Sequence, residues 1–216
     1  RRAVERCREA VDAMLAQDQV VYGLNTGFGQ LARVRIEADK IAELQRNLVL
    51  SHAVGSGPPL DDATVRLAIV LKIQTLLHGN SGVTWGLIEA LLGLLAAEVM
   101  PLVPAKGSVG ASGDLAPLAH IAAALMGLGE VRHRGKVLPA SEGLHLAGLT
   151  PLELGPKEGL ALLNGTQVST ALALEGLFRT EDLFAAALVA GAMSVEAARG
   201  ADTPFDARIH ALRRQR

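Results

Sequence analysis

Apolar residues recur at helical spacing in segment after segment of this 216-residue chain, and Gly- and Pro-rich breaks separate the segments. Val4, Val11 and Leu15 set the register of a first helix from about residue 3 to Ala16. Ile41–Leu50 reads as a second, ended by the break Ser51–Pro59. Asp61 or Asp62 can N-cap a third that runs to Leu77, with Gly79 as its C′ residue. Thr84–Val99 is a fourth, stopped by Pro101 and Pro104, and Asp114–Met126 a fifth. A short helix near Ser141–Ala147 and the segment Pro156–Leu163 lead to Thr166–Arg199, one long helix or two in series. Half the residues are hydrophobic but only 3% are aromatic, so Leu, Ala, Val and Ile must fill the interior. That favours packed helices over an aromatic-rich β-sandwich. Around Gly135, Val131, His133 and Val137 alternate with charges, which reads as a hairpin over Glu130–Leu138. The expected fold is mainly α, with at most a small β-hairpin.

The same sequence excludes several classes of function. A formal net charge of −1 gives no basic face for nucleic-acid phosphates. One cysteine, Cys7, cannot form an internal disulfide. The longest uncharged stretches, Leu115–Gly129 and Gly159–Leu174, fall short of the roughly 20 apolar residues of a bilayer span. Arg1, Arg2, Glu5 and Arg6 leave no signal-peptide core, so a cytoplasmic protein with no membrane partner is expected. The six histidines form no His-x-x-x-His pair and have no cysteine partner, so no metal is expected. No phosphate-binding or dinucleotide fingerprint is present, and Gly110-Ala111-Ser112-Gly113 lacks the spacing of a nucleophile elbow. This disfavours a serine hydrolase built on Ser112 and His120. The chain starts in helical register without Met, and the helical pattern of Asp206–Leu212 stops at Arg216 without a breaker. It reads as a piece of a longer chain.

Two Gly-rich loops are left to carry chemistry: Tyr22–Gly29, and Lys106–Gly113, which runs straight into the fifth helix. Ala111-Ser112-Gly113 is well suited to backbone cyclisation. Gly113, without a side chain, lets its nitrogen approach the Ala111 carbonyl, and the Ser112 hydroxyl can leave by β-elimination. Loss of two waters would give a five-membered ring with an exocyclic methylidene, an electrophile that standard side chains do not offer. Taken alone, the triplet reads as an ordinary helix-leading loop, since Ala-Ser-Gly is common in loops.

Its neighbours add a resemblance. Val21-Tyr-Gly-Leu-Asn-Thr-Gly-Phe-Gly29, Asn47-Leu-Val-Leu-Ser-His-Ala-Val-Gly55, Gly107-Ser-Val-Gly-Ala-Ser-Gly-Asp-Leu-Ala-Pro-Leu-Ala-His120 and Leu162-Leu-Asn-Gly-Thr-Gln-Val-Ser169 follow one another in order. Together they resemble the aromatic amino acid ammonia-lyases over nearly the whole chain, most closely the histidine-specific ones. The resemblance implies a fumarase/aspartase-like helical fold and a homotetramer. It also implies that Ala111, Ser112 and Gly113 become a methylidene-imidazolone (MIO) ring, with no dissociable cofactor. Residues 1–216 would then be the N-terminal, ring-bearing part, running into the long-helix region after about residue 166, with the C-terminal half absent.

Each candidate has a plain reading beside the one implied by resemblance. Tyr22 alone is a ring packed under a loop; by resemblance it is the catalytic acid/base, a task for which a phenol needs a lowered pKa or a coupled acceptor. His52 alone is a satisfied histidine after an apolar helix. By resemblance the pair Ser51-His52 is the histidine-specific version of a position that tracks substrate, where tyrosine lyases have His-Leu and phenylalanine lyases Phe-Leu. Asn164 is a turn residue or N-cap, or by resemblance the group that holds the substrate's amino-acid end. Asp114 is a helix-dipole acid, or by resemblance an assistant to ring formation. His120 reads as structural, and Lys106 and Arg208 as solvated charges. The implied substrate is L-histidine, converted to trans-urocanate and ammonia. A tyrosine or phenylalanine lyase, an aminomutase, and a non-catalytic helical module with an uncyclised loop are the alternatives.

Overall fold

The computed structural model describes residues 1–17, 20–27 and 35–214. Phe28 and Gly29 of the first Gly-rich loop lie outside the described residues. The chain divides into two compact units, Arg1–Leu172 and Ala173–Arg216.

In the first unit, helix α1 (Arg2–Ala16) buries Val4 and Val11, two of the residues that set its register. Helix α2 (Ile41–His52) runs two residues further than its apolar pattern, so His52 is its last residue rather than part of the break. The third helix, α3 (Asp62–Leu77), begins where Asp61 Oδ1 accepts the Thr64 N–H at 2.8 Å. Beyond its end Gly79 sits at φ +72° against the backbone of Ala3, where an added Cβ would come within 2.5 Å of the Ala3 carbonyl carbon. Ile69 and Leu76 of α3, Ile88 and Leu91 of α4 (Trp85–Ala96), and Leu118 and Leu125 of α5 (Leu115–Leu125) belong to one buried cluster. Leu162 and Leu163 of α7 (Glu158–Leu163) join it. This apolar interior supplies most of the driving force for folding.

The β content exceeds the expected hairpin. Strands β4 (Glu130–His133) and β5 (Lys136–Pro139) form that hairpin, but β2 (Val99–Pro101) pairs with β4 to make a three-stranded antiparallel sheet. The helix expected over Thr84–Val99 therefore ends at Ala96. Glu98 adopts φ +55°, which turns the chain out of the helix, and Val99 and Met100 are buried in the sheet. A second antiparallel pair joins β1 (Ser56–Pro59) to β3 (Pro104–Lys106). Short strands rich in Pro carry little sequence signal, since their pairing depends on a distant partner. Helix α6 (Ala140–Leu146) follows the three-stranded sheet.

Helix α8 (Gln167–Ala197) is continuous, which decides between the two readings of Thr166–Arg199. It is buried only at Gln167, Val168 and Ala171; Leu183, Phe184, Leu188, Val189 and Met193 are exposed. In the second unit α9 (Ala207–Leu212) starts where Asp206 Oδ1 accepts the Arg208 N–H. Arg208 also pairs with Asp206 through its guanidinium, at the exposed surface. Among the described residues no helix is long and apolar enough to cross a membrane.

Candidate active site

The loop between β3 and α5 is held from inside by Asp114. This carboxylate is fully buried, at 0% exposure, yet it makes no capping bond to α5. It turns back instead: Oδ2 accepts from Ser108 Oγ at 2.5 Å and Oδ1 accepts the Val109 N–H at 2.8 Å. Ser108 Oγ in turn accepts the Gly110 N–H at 3.3 Å, and Gly110 takes φ +63°. Asp114 thus stands at the N-cap of α5, as expected of a helix-start acid, while its carboxylate bonds to the loop. Ala111 and Ser112 stand exposed beyond this brace and Gly113 is half-buried.

A second segment closes on the loop from the C-terminus of α7. There Asn164 leaves the helix in extended conformation while its N–H still donates to Leu160 O at 2.9 Å. A Cβ on Gly113 would lie 3.2 Å from Asn164 Oδ1, so glycine is what lets the amide side chain sit against the tripeptide. The Asp114 N–H donates to the next carbonyl, Gly165 O, at 3.2 Å. Asn164 and Gly113 of the tripeptide, 51 positions apart in sequence, are brought together by two contacts from adjacent residues.

His52 is half-exposed at the end of α2. Its Nδ1 lies 2.8 Å from Leu48 O and 3.2 Å from Ser51 Oγ. A carbonyl can only accept, so Nδ1 carries a proton and Nε2 of the neutral ring is an acceptor. Three residues on, the Gly55 N–H donates to His120 Nε2 at 3.1 Å. A Cβ on Gly107 would lie 3.3 Å from Gly55 Cα, so the segment after His52 packs on the root of the Ser112 loop. His120 therefore has a structural partner, and burial lowers its pKa.

Tyr22 stands on the other Gly-rich segment, with its ring 54% exposed, so the packed-ring reading does not hold. Around it Val21 N–H donates to Asn25 Oδ1 at 2.9 Å, Leu24 N–H to Val21 O at 3.1 Å, and Gly23 N–H to Thr26 Oγ1 at 3.4 Å. Leu24, Asn25 and Thr26 are buried beneath it. Lys106 is exposed, as expected of a solvated charge. Among the described residues no group of three or more His, Cys, Asp or Glu could hold a metal ion.

The structure sets the Asn164 amide against Gly113 and packs the segment after His52 on the root of the Ser112 loop, while Tyr22 stands exposed on a separate Gly-rich segment. Residues 1–216 match the family described as aromatic amino acid lyase. The chain belongs to this family. Among curated relatives, the histidine ammonia-lyase of Idiomarina loihiensis is 60% identical over 207 residues, covering 96% of this chain and 40% of the relative. Among solved structures, histidine ammonia-lyase from Trypanosoma cruzi superposes with a TM-score of 0.90 at 35% identity, covering 98% of this chain and 40% of that one. Pantoea agglomerans phenylalanine aminomutase also superposes with a TM-score of 0.90, at 33% identity, covering 98% and 40%. The chain thus spans about 40% of the length of the curated relatives it matches.

The chain holds one polar residue near Asn164 that motif reading does not single out. Lys72 is 2% exposed and donates from Nζ to Ala161 O and Asn164 O, both at 3.1 Å. Burial pulls its pKa down to about 8. Its signal in the sequence is positional: it occupies an inward register of α3, between Ala68, Ile69 and Leu76, where an apolar residue is the rule.

Proposed function

We propose that this chain is the ring-bearing part of an ammonia-lyase that converts L-histidine to trans-urocanate and ammonia. The observation that carries the reading is the closure of Asn164 and Gly165 on Gly113 and Asp114, beside a loop braced by a buried carboxylate. That fits cyclisation of Ala111-Ser112-Gly113 to an MIO ring: the Gly113 nitrogen is unhindered, Ser112 is accessible, and the loop is held on either side of the triplet. The ring supplies an electrophilic carbon toward which the substrate's electrons can flow.

The chain's own residues do the rest. Asn164 holds the amino-acid end of the substrate beside Gly113. His52 Nε2 accepts a hydrogen bond from the substrate imidazole N–H, a contact that apolar analogues cannot replace. The deprotonated phenol oxygen of Tyr22 takes a proton from the β-carbon, the C–H electron pair becomes the new double bond, and the C–N bond breaks as the protonated amino group leaves as ammonia. The full-length protein is proposed to be a cytoplasmic homotetramer. The exposed apolar residues of α8 support further protein covering that helix.

Intact mass of the full-length protein tests the ring, which lowers the mass by two waters. The expected outcome is that deficit in the wild type and its loss, with all turnover, in Ser112→Ala. An unmodified wild-type mass would mean a non-catalytic helical assembly. Preferential turnover of tyrosine or phenylalanine over histidine would keep the ring chemistry and overturn the substrate.

A further inference from the structure

Lys72 is in an expensive place. An ammonium taken out of water costs free energy that a methionine of similar length would not. The apolar register of α3 would accept that methionine, since Val65, Ala68, Ile69, Ile73 and Leu76 surround the same face. What the lysine gains there is specific. Helix α7 ends with carbonyls that have no partner within the helix, and its dipole makes that end negative. The Lys72 ammonium donates to two of these carbonyls, Ala161 O and Asn164 O. The second belongs to the residue whose side chain lies against Gly113. The next carbonyl, Gly165 O, accepts from Asp114, whose carboxylate shapes the Ser112 loop.

From these contacts we infer that Lys72 is a positioning residue, clamping the Asn164–Gly165 turn from beneath so that Asn164 faces the substrate and Asp114 stays seated behind Ser112. It touches neither substrate nor ring. A polar cavity of about 210 Å³ adjoins it, lined by Thr75, Asn80, Ser81 and Asn164 together with Lys157, the other cation there. No carboxylate lines that cavity, so the two carbonyls are the acceptors that the geometry gives Lys72. The ammonium is still largely protonated at neutral pH, since its lowered pKa is about 8.

The inference rests on the ammonia-lyase reading, and its test separates the two. In the full-length enzyme, Lys72→Met, Asn164→Ala and the double variant are assayed for histidine turnover. Backbone amide exchange is followed at Asn164, Asp114 and, as a reference, Leu91 in α4. Loss of a charge-assisted hydrogen bond predicts a fall in kcat/KM of about ten- to a hundredfold for Lys72→Met. Most of that loss should disappear when Asn164 is already alanine, because the two residues act as one unit. Exchange at Asn164 and Asp114 should quicken about tenfold or more while Leu91 is unchanged. Independent, multiplying effects of the two substitutions, or unchanged exchange at Asn164 and Asp114, would overturn the clamp. If Lys72→Met does not fold, Lys72→Gln, which keeps one donor for these carbonyls, is read the same way. Failure of both to fold makes Lys72 a general stability residue and also overturns it. A wild-type enzyme that ignores histidine would sink the substrate reading alone, and the exchange data would still decide the clamp.

Discussion

The two Gly-rich loops carry the two ends of the proposed chemistry and are built in opposite ways. The segment around Tyr22 is shaped by bonds between residues three or four apart, such as Val21 to Asn25 and Leu24 to Val21, and by partners a little further on: the Ile36 N–H donates to Asn25 O at 2.9 Å and Thr26 bridges to Arg35. The loop around Ser112 is shaped by one buried carboxylate and by residues distant in sequence: Gly55 packs at its root, Asn164 lies against Gly113, and Gly165 accepts from Asp114. Ties to near neighbours let a segment move as a local unit, whereas a loop tied to two distant segments moves only with them. A backbone that must cyclise on itself needs fixed atoms, and long-range ties provide them. A phenol that exchanges protons with a substrate needs access, and its ring is half exposed. The difference in construction follows the difference in task.

The largest effect should come from removing the brace. Asp114→Ala leaves the Ser108 hydroxyl and Val109 N–H without their acceptor and is expected to cost about 2 kcal/mol of stability. Ring formation and all turnover should fail with it, seen as loss of the two-water mass deficit. A variant that still cyclises normally would show that the loop does not depend on its buried carboxylate.

Next in size is Tyr22→Phe. Turnover should fall about 10²- to 10⁴-fold, the usual contribution of a positioned acid or base. Ring mass and thermal midpoint should stay at wild-type values, because the Tyr22 ring is half exposed and stands on a different segment from the braced loop. A matching loss of the ring would erase the contrast between the two loops.

The smallest effect is a pH dependence. Burial holds the His120 pKa below its ordinary value, so the unfolded chain binds a proton at a pH where the folded chain does not. The contribution is present above the ordinary imidazole range and is lost as pH falls through the lowered folded value. Protonation also removes the acceptor for the Gly55 N–H. Acid should therefore lower the protection of the Gly55 amide against exchange, on the Ser112 side, before it lowers that of Leu24. Simultaneous loosening of both would mean that His120 does not latch the braced loop selectively.

The cap of α3 and the helical registers were readable without the fold. Asp61, one of the two acids expected there, caps α3 because its side chain reaches an N–H three residues away. The strand Val99–Pro101 was not readable, since its partner lies some thirty residues on and the preceding helix pattern runs into it. Asp114 and Lys72 mark the same boundary within the site. An acid at a helix start does not reveal that its carboxylate also reaches back to Ser108 and Val109, and a lysine on an apolar face looks like an exception until the carbonyls that accept from it are found.

By itself the sequence determined the mainly helical class, the segments that carry the chemistry and the family, because helical period, capping and contiguous motifs are written in near neighbours. Tertiary structure alone decided which of those segments meet. It set Asn164 against Gly113, turned the Asp114 carboxylate onto Ser108 and Val109, and put an ammonium under the Asn164 turn. Those are contacts across long loops of chain, whose closure depends on the packing of the whole core rather than on any local run of residues.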